Sequence, residues 1–185
     1  DFLDAQVGAE MLELGGLALF TALLCVLGYL LFRFDWRFAI SSVVALLHDL
    51  VIVIGLFAWL QINVDLAVMA ALLAIIGYSL NDSIVVADRI RENLWNVEAD
   101  QISDIVDSAI LSTITRTMIT SGTTLVTVAA LWLSGVHSLF GFSIALIAGI
   151  IIGTLSSISI SASLPQMLGI RARSTHDEVA QESHP

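Results

Sequence analysis

Gly77-Tyr78-Ser79-Leu80-Asn81-Asp82-Ser83-Ile84-Val85-Val86-Ala87 runs straight into Asp88-Arg89-Ile90-Arg91-Glu92-Asn93. The first part ends a long apolar run. The second is a dense charge cluster that stops it. Asp82 is an ionisable carboxylate inside the apolar part, and a charge in hydrocarbon is costly enough to mark a functional-site candidate. The stretch therefore reads as the end of a membrane-spanning helix that carries one expensive charge.

Composition supports a membrane chain. Of 185 residues, 57% are hydrophobic and only 13% charged, about half the charged share of a soluble domain. The fold class expected is all-α, a polytopic bundle of five transmembrane helices. About 20 apolar residues are needed per crossing, and five segments qualify, at about 14–32, 38–60, 64–87, 110–134 and 138–164. Alternating ten-residue strands of a β-barrel are absent. Backbone groups in lipid must be satisfied within the segment, so the short links imply helical hairpins. Residues 1–13 are expected to be the extracytoplasmic end of an upstream region, 14–170 the transmembrane domain, and 171–185 a polar, disordered cytoplasmic tail.

Arginine placement orients the chain. There is no Lys, and the seven Arg are Arg33, Arg37, Arg89, Arg91, Arg116, Arg171 and Arg173. With these spans all seven fall on one side, which the positive-inside rule makes cytoplasmic. The C-terminus is then cytoplasmic and the N-terminus of this stretch periplasmic. A chain opening on Asp1 without Met or a signal is expected to lack an upstream part with at least one earlier span. Between the third and fourth spans, Ile90, Leu94, Val97, Ile102, Ile105, Val106 and Ile110 recur at roughly helical spacing. Residues 88–109 are read as an amphipathic segment lying on the cytoplasmic interface, with Trp95 as an anchor. Span five carries small residues four apart (Ala145, Gly149, Gly153, Ser157 and Ser161), a pattern that lets another helix approach closely. Gly149 and Gly153 are the helix-packing positions of that stripe.

The ionisable residues carry the functional question. Asp82 sits roughly 6 Å inside the cytoplasmic boundary, and Arg116 roughly 9 Å inside it on the next span. Opposite charges at matched depth are the expected intramembrane pair. Two roles fit Asp82, a proton relay or a permanently paired structural carboxylate. Arg116 either pairs with it or snorkels to the headgroups. Asn81, Tyr78 and Ser79 are supporting polar residues, and Tyr78 and Ser79 share enough of a face with Asp82 to bond it. His48 and Asp49, near the middle of span two, either join the relay or hold helices together. Asp88, Arg89, Arg91 and Glu92 form a cytoplasmic motif that ends the span and fixes its orientation. Cys25 reads as a small buried residue. His137 and His176 carry no chemistry.

No Gly-rich phosphate loop, Cys/His metal spacing or partnered Ser nucleophile is present. The chain is expected to be no enzyme and to need no cofactor or metal. Its energy comes from an ion gradient or another subunit. A net charge of −10 argues against a nucleic-acid partner.

At this level of detail the chain resembles the SecF family, membrane subunits of bacterial protein export related to the resistance-nodulation-division transporters. The resemblance rests on Phe32–Arg37, Ala45–Asp49, Ile76–Ser83 with Asp88–Asn93, Arg116–Thr124 and Gly149–Thr154, and covers about residues 7–170. It implies the last five helices of a six-helix unit, with a periplasmic domain between its first and second helices. It implies a SecD partner, the SecYEG translocon, a YajC-type accessory subunit, exported polypeptides and the lipid bilayer as surroundings. It also implies proton flow through Asp82 and Arg116 that drives export, with a further Asp from SecD. The family loop after Asn93 is usually basic, whereas Leu94-Trp95-Asn96-Val97-Glu98-Ala99-Asp100 is acidic. Rival readings are a proton-coupled transporter of small hydrophobic substrates and a passive membrane scaffold.

Overall fold

The computed structural model describes residues 2–94 and 102–170. The expected anchor Trp95 and the tail from residue 171 lie outside them. All regular structure among the described residues is helical: α1 (Phe2–Arg33), α2 (Trp36–Leu60), α3 (Leu66–Asn93), α4 (Ile102–Leu133), a 3-10 turn (His137–Leu139) and α5 (Phe140–Met167). Connections are tight where the sequence has turn chemistry. Asp65 caps α3, its Oδ1 accepting the Val68 N–H at 2.8 Å, which satisfies one of the free amides of a helix start. Gly135, at φ +73°, takes the left-handed turn after α4 that a side chain would oppose.

The bundle buries polar side chains among its apolar ones and exposes many large apolar side chains. Leu17, Phe20, Val51, Ile119, Val126 and Leu155 point outward and are exposed, whereas Ser41, Asp49, Ser79, Ser83, Ser143 and Ser157 are buried. A water-soluble fold rarely exposes so many large apolar side chains together. In lipid, apolar surface gains little by burial, so packing and interhelical hydrogen bonds hold the helices. Four stretches are long and apolar enough to cross a membrane: Glu10–Arg33, Trp36–Leu60, Leu66–Asn93 and His137–Met167. The sequence leads one to expect five. The missing one falls in α4, which is 32 residues long but dilutes its Leu, Val and Ile with Ser, Thr and Arg116.

α5 is the central helix, packing most extensively on α3 and then on α2 and α4, while α1 leans on α2 and α3. The small stripe makes this close contact workable. Ala145, Gly149, Gly153, Ser157 and Ser161 are all buried. A Cβ built on Gly149 would collide with Cδ1 and Cγ1 of Ile75, and one on Gly153 would come within 3.2 Å of Ser79 Cβ. The two contacts are four residues apart on both helices, so α3 and α5 run parallel in one register.

Two apolar clusters are stacked along α3. One gathers Val68, Leu72, Ile75 and Ile76 with Phe57 of α2 and Ala145 of α5. The other, at the Arg33–Arg37 end, gathers Val86, Ala87, Ile90 and Leu94 with Leu30, Phe34, Phe38, Ile105, Val106 and Ala109. Residues 88–94 and 102–109 therefore differ from the expected surface segment, the part between them lying outside the described residues. Residues up to Asn93 prolong α3, those from Ile102 begin α4, and Ile90, Leu94, Ile105 and Val106 fill the second cluster. Their apolar spacing serves contacts within the bundle.

Candidate functional site: a polar layer between two apolar clusters

Between the clusters α3 presents Tyr78, Ser79, Asp82 and Ser83, and its neighbours meet them with polar groups. Asp49 of α2 is wholly buried. Its Oδ2 accepts hydroxyls from Ser79 at 2.6 Å and Ser156 of α5 at 2.9 Å, and its Oδ1 lies 3.2 Å from His48 Nδ1. Three helices are thus tied at one carboxylate. A second chain of bonds runs across α3, α4 and α5. The Tyr78 hydroxyl donates to Ser121 at 2.9 Å, and Ser121 meets Thr154 at 2.7 Å. Thr154 in turn donates to the Ile150 carbonyl at 2.7 Å.

α4 contributes a hydroxyl stripe at four-residue spacing. Thr113, Thr117 and Ser121 are its buried polar positions, and Thr113 bonds back to the Ala109 carbonyl at 3.0 Å. Such back-bonding satisfies a hydroxyl within its own helix and makes it tolerable in lipid.

Asp82 is 4% exposed, yet its Oδ2 has no hydrogen-bond partner, and neither has the neighbouring Ser83 Oγ. A buried carboxylate oxygen left unpaired is expensive and uncommon outside functional sites. Tyr78 and Ser79 do not serve Asp82, as their spacing suggested. Tyr78 goes to Ser121, and Ser79 to the stronger acceptor, the carboxylate of Asp49. No direct ion pair joins Asp82 to Arg116 among the described residues. Arg116 is one residue off the buried stripe of α4, so it emerges on the exposed face. Asn81 is exposed as well.

The charged motif lies on the outer face of α3 at the level of the second cluster. Arg33 Nη2 pairs with Asp88 at 3.3 Å and Arg89 Nη1 with Glu92 at 2.6 Å, all well exposed. Arg91 Nη1 donates to the Arg33 carbonyl at 3.4 Å. An open cleft of about 310 Å³, bounded by Asp88, Arg89, Ser112, Thr113 and Arg116, leads from this motif toward the α3–α4 contact. No group of three or more His, Cys, Asp or Glu suited to a metal is found among the described residues. Ser156, Ser121 and Thr154 complete the layer without having been singled out in the sequence. The repeated Ser/Thr of α4 and the Ser156-Ser157 pair of α5 were the available signal.

Residues 1–171 match the family described as protein export membrane protein SecD/SecF, C-terminal. The chain belongs to the SecD/SecF family. Among curated relatives it is 49% identical over 171 residues to the protein translocase subunit SecF of Vibrio alginolyticus, covering 92% of this chain and 54% of that one. It is 44% identical, over 92% of its length and 53% of the relative, to the SecF subunit of Escherichia coli O157:H7. The chain thus spans about half the length of the SecF proteins it matches. Solved SecDF structures share the fold. The super-membrane-facing form aligns with TM-score 0.72 and 39% identity over 87% of this chain and 21% of that one. SecDF from Thermus thermophilus, a translocon-associated membrane protein, aligns with TM-score 0.72 and 42% identity over 77% and 20%.

Proposed function

We propose that this SecD/SecF-family chain is the membrane core of a SecF-type subunit. Together with SecD it uses the proton gradient to promote protein export across the bacterial cytoplasmic membrane. The observation that carries the reading is Asp82, a buried carboxylate with an unpaired oxygen in a polar layer, with Arg116 lining the cleft at the α3–α4 contact. A carboxylate that its own helices leave without a hydrogen bond can exchange a proton as its surroundings change. A carboxylate tied by three donors, such as Asp49, is a poor carrier.

In this proposal α4 is also a span, the fourth of five, because its hydroxyls bond within the helix and its charge lies at the edge of the polar layer. The end bearing Arg33, Arg37, Arg89 and Arg91 faces the cytoplasm, as does the C-terminus. SecD covers the Arg116 face. SecYEG and a YajC-type subunit are the wider surroundings, and exported polypeptides are what is moved. The chain works as a transport subunit and not as an enzyme.

The test is Asp82→Asn in the full-length subunit assembled with SecD. Asn keeps the size and removes the titratable proton. The expected result is normal assembly with loss of the part of precursor export that depends on the proton gradient. Export that still responds fully to the gradient would sink the proton-carrying role.

A further inference from the structure

Asp49 is buried more completely than Asp82 and is fully engaged. We propose that Asp49 is a positioning residue for Asp82, setting through Ser79 and Ser156 the rotation of α3 that directs the Asp82 carboxylate. The proposal rests on the proton-carrying reading of Asp82. It adds a frame to that carrier.

Ser79 and Asp82 are three residues apart on α3, which places them about 60° apart around the helix and about 4.5 Å apart along it. Any turn of α3 that redirects Asp82 therefore drags Ser79 away from Asp49. Both serine hydroxyls donate to the same oxygen, Oδ2, at 2.6 and 2.9 Å, so one acceptor atom joins α3 to α5. The second oxygen is occupied by His48 at 3.2 Å. Slack is excluded from the other side too. A Cβ at Gly153 would stand 3.5 Å from Asp49 Oδ2 and 3.2 Å from Ser79 Cβ. Beside this anchored cluster, Asp82 Oδ2 and Ser83 Oγ have no partner. The structure holds the frame tightly and leaves the carrier free.

Charge alone could also link Asp49 to Asp82, so the test must separate the two effects. The ionisable groups on the neighbouring helices nearest this layer are Asp49 and His48 on α2 and Arg116 on α4. α5 carries no titratable residue, and Asp88 and Arg89 on α3 are exposed, with Arg33 of α1 paired to Asp88. Asp49→Asn removes the charge but keeps a carbonyl oxygen able to accept both serines. Ser79→Ala keeps the charge and breaks the tie. Asp49→Ala does both.

The experiment uses the full-length subunit co-assembled with SecD in membranes. A hydrophobic carbodiimide, which reacts with protonated intramembrane carboxyls, is applied across a pH series. Labelling of Asp82 is read by peptide mass spectrometry. Ser79→Ala and Asp49→Ala should move the pH of half-labelling by about one unit, the scale of one hydrogen bond to a charged group. Asp49→Asn should stay near the unsubstituted protein. An assembled Ser79→Ala protein with an unmoved midpoint overturns the proposal. So does Asn shifting as far as Ala while Ser79→Ala is silent, which is the signature of charge alone. If Asp49→Ala fails to assemble, Ser79→Ala and Asp49→Asn decide the matter. A different failure, Asp82 taking no label at any pH while Asp82→Asn exports normally, overturns the proton-carrying reading itself.

Discussion

Gly149→Ala tests the packing on which the whole layer depends. The added methyl would fall on Cδ1 and Cγ1 of Ile75 and within 3.0 Å of its Cγ2. Ile75 is 1% exposed, so it has no free space to turn into. Overpacking of this kind costs about 1–3 kcal/mol. Replacing Gly by Ala inside a helix returns about 1 kcal/mol, so the net loss should be about 1 kcal/mol. Gly77→Ala and Gly55→Ala supply the control, because nothing lies within 4 Å of a Cβ at either site and only the helix gain operates. Ile75→Ala alone should cost about 2 kcal/mol, the low end for such truncations, because lipid removes most of the transfer contribution. Combined with Gly149→Ala it should cost less than the sum by about 1 kcal/mol, since the new methyl occupies part of the vacated space. The assay is thermal unfolding of the detergent-purified full-length subunit with SecD, followed by Trp fluorescence. A Gly149→Ala protein as stable as Gly77→Ala, or strict additivity with Ile75→Ala, would refute the register between α3 and α5.

Two smaller effects follow from single hydrogen bonds. Asp65→Ala removes the cap on α3 and should lower stability by about 1 kcal/mol, read in the same unfolding assay. Asp65→Asn or Ser should recover most of it. Tyr78→Phe deletes the first link of the chain to Ser121 and should cost about 0.6 kcal/mol, the usual value for an interhelical bond in a membrane. A double cycle with Ser121→Ala should show that the two losses are not additive, and additive losses would mean the bond is not made in the membrane.

Much of the fold was legible because a membrane constrains the chain in one dimension. Apolar length marks α1, α2, α3 and α5, and the Arg residues mark the ends that meet. The segment at about 110–134 is also expected to span, but α4 falls outside the stretches apolar enough to cross a membrane, and its Thr and Ser bond to carbonyls one turn back. The charged motif after Ala87 was read as the end of a span and the start of a surface segment. Ile90 and Leu94 carry the helix on, since they meet Phe34, Phe38 and Val106 from distant parts of the chain. The site was legible in depth but not in rotation. Asp82 and Arg116 could be placed at similar levels by counting residues. Whether they touch depends on about 100° per residue around each helix, and Arg116 sits one residue off the buried stripe. Asp49 was visible as a buried charge. Its partners, Ser79 and Ser156, lie 30 and 107 residues away in sequence, and no local pattern announces them.

The stacking of two apolar clusters around one polar layer has a consequence for access. Along α3 each cluster spans eight residue steps, Val68 to Ile76 and Val86 to Leu94, so the layer has about 12 Å of insulating side chains above it and about 12 Å below. A proton travelling along the bundle axis meets a dry barrier in both directions. The open flank is sideways, where Arg116 and the cleft beside it reach the surface of α4. Under the proposed proton-carrying role the layer is therefore one wall of a passage, and the partner proposed to lie against α4 supplies the other wall and decides when the passage is wet.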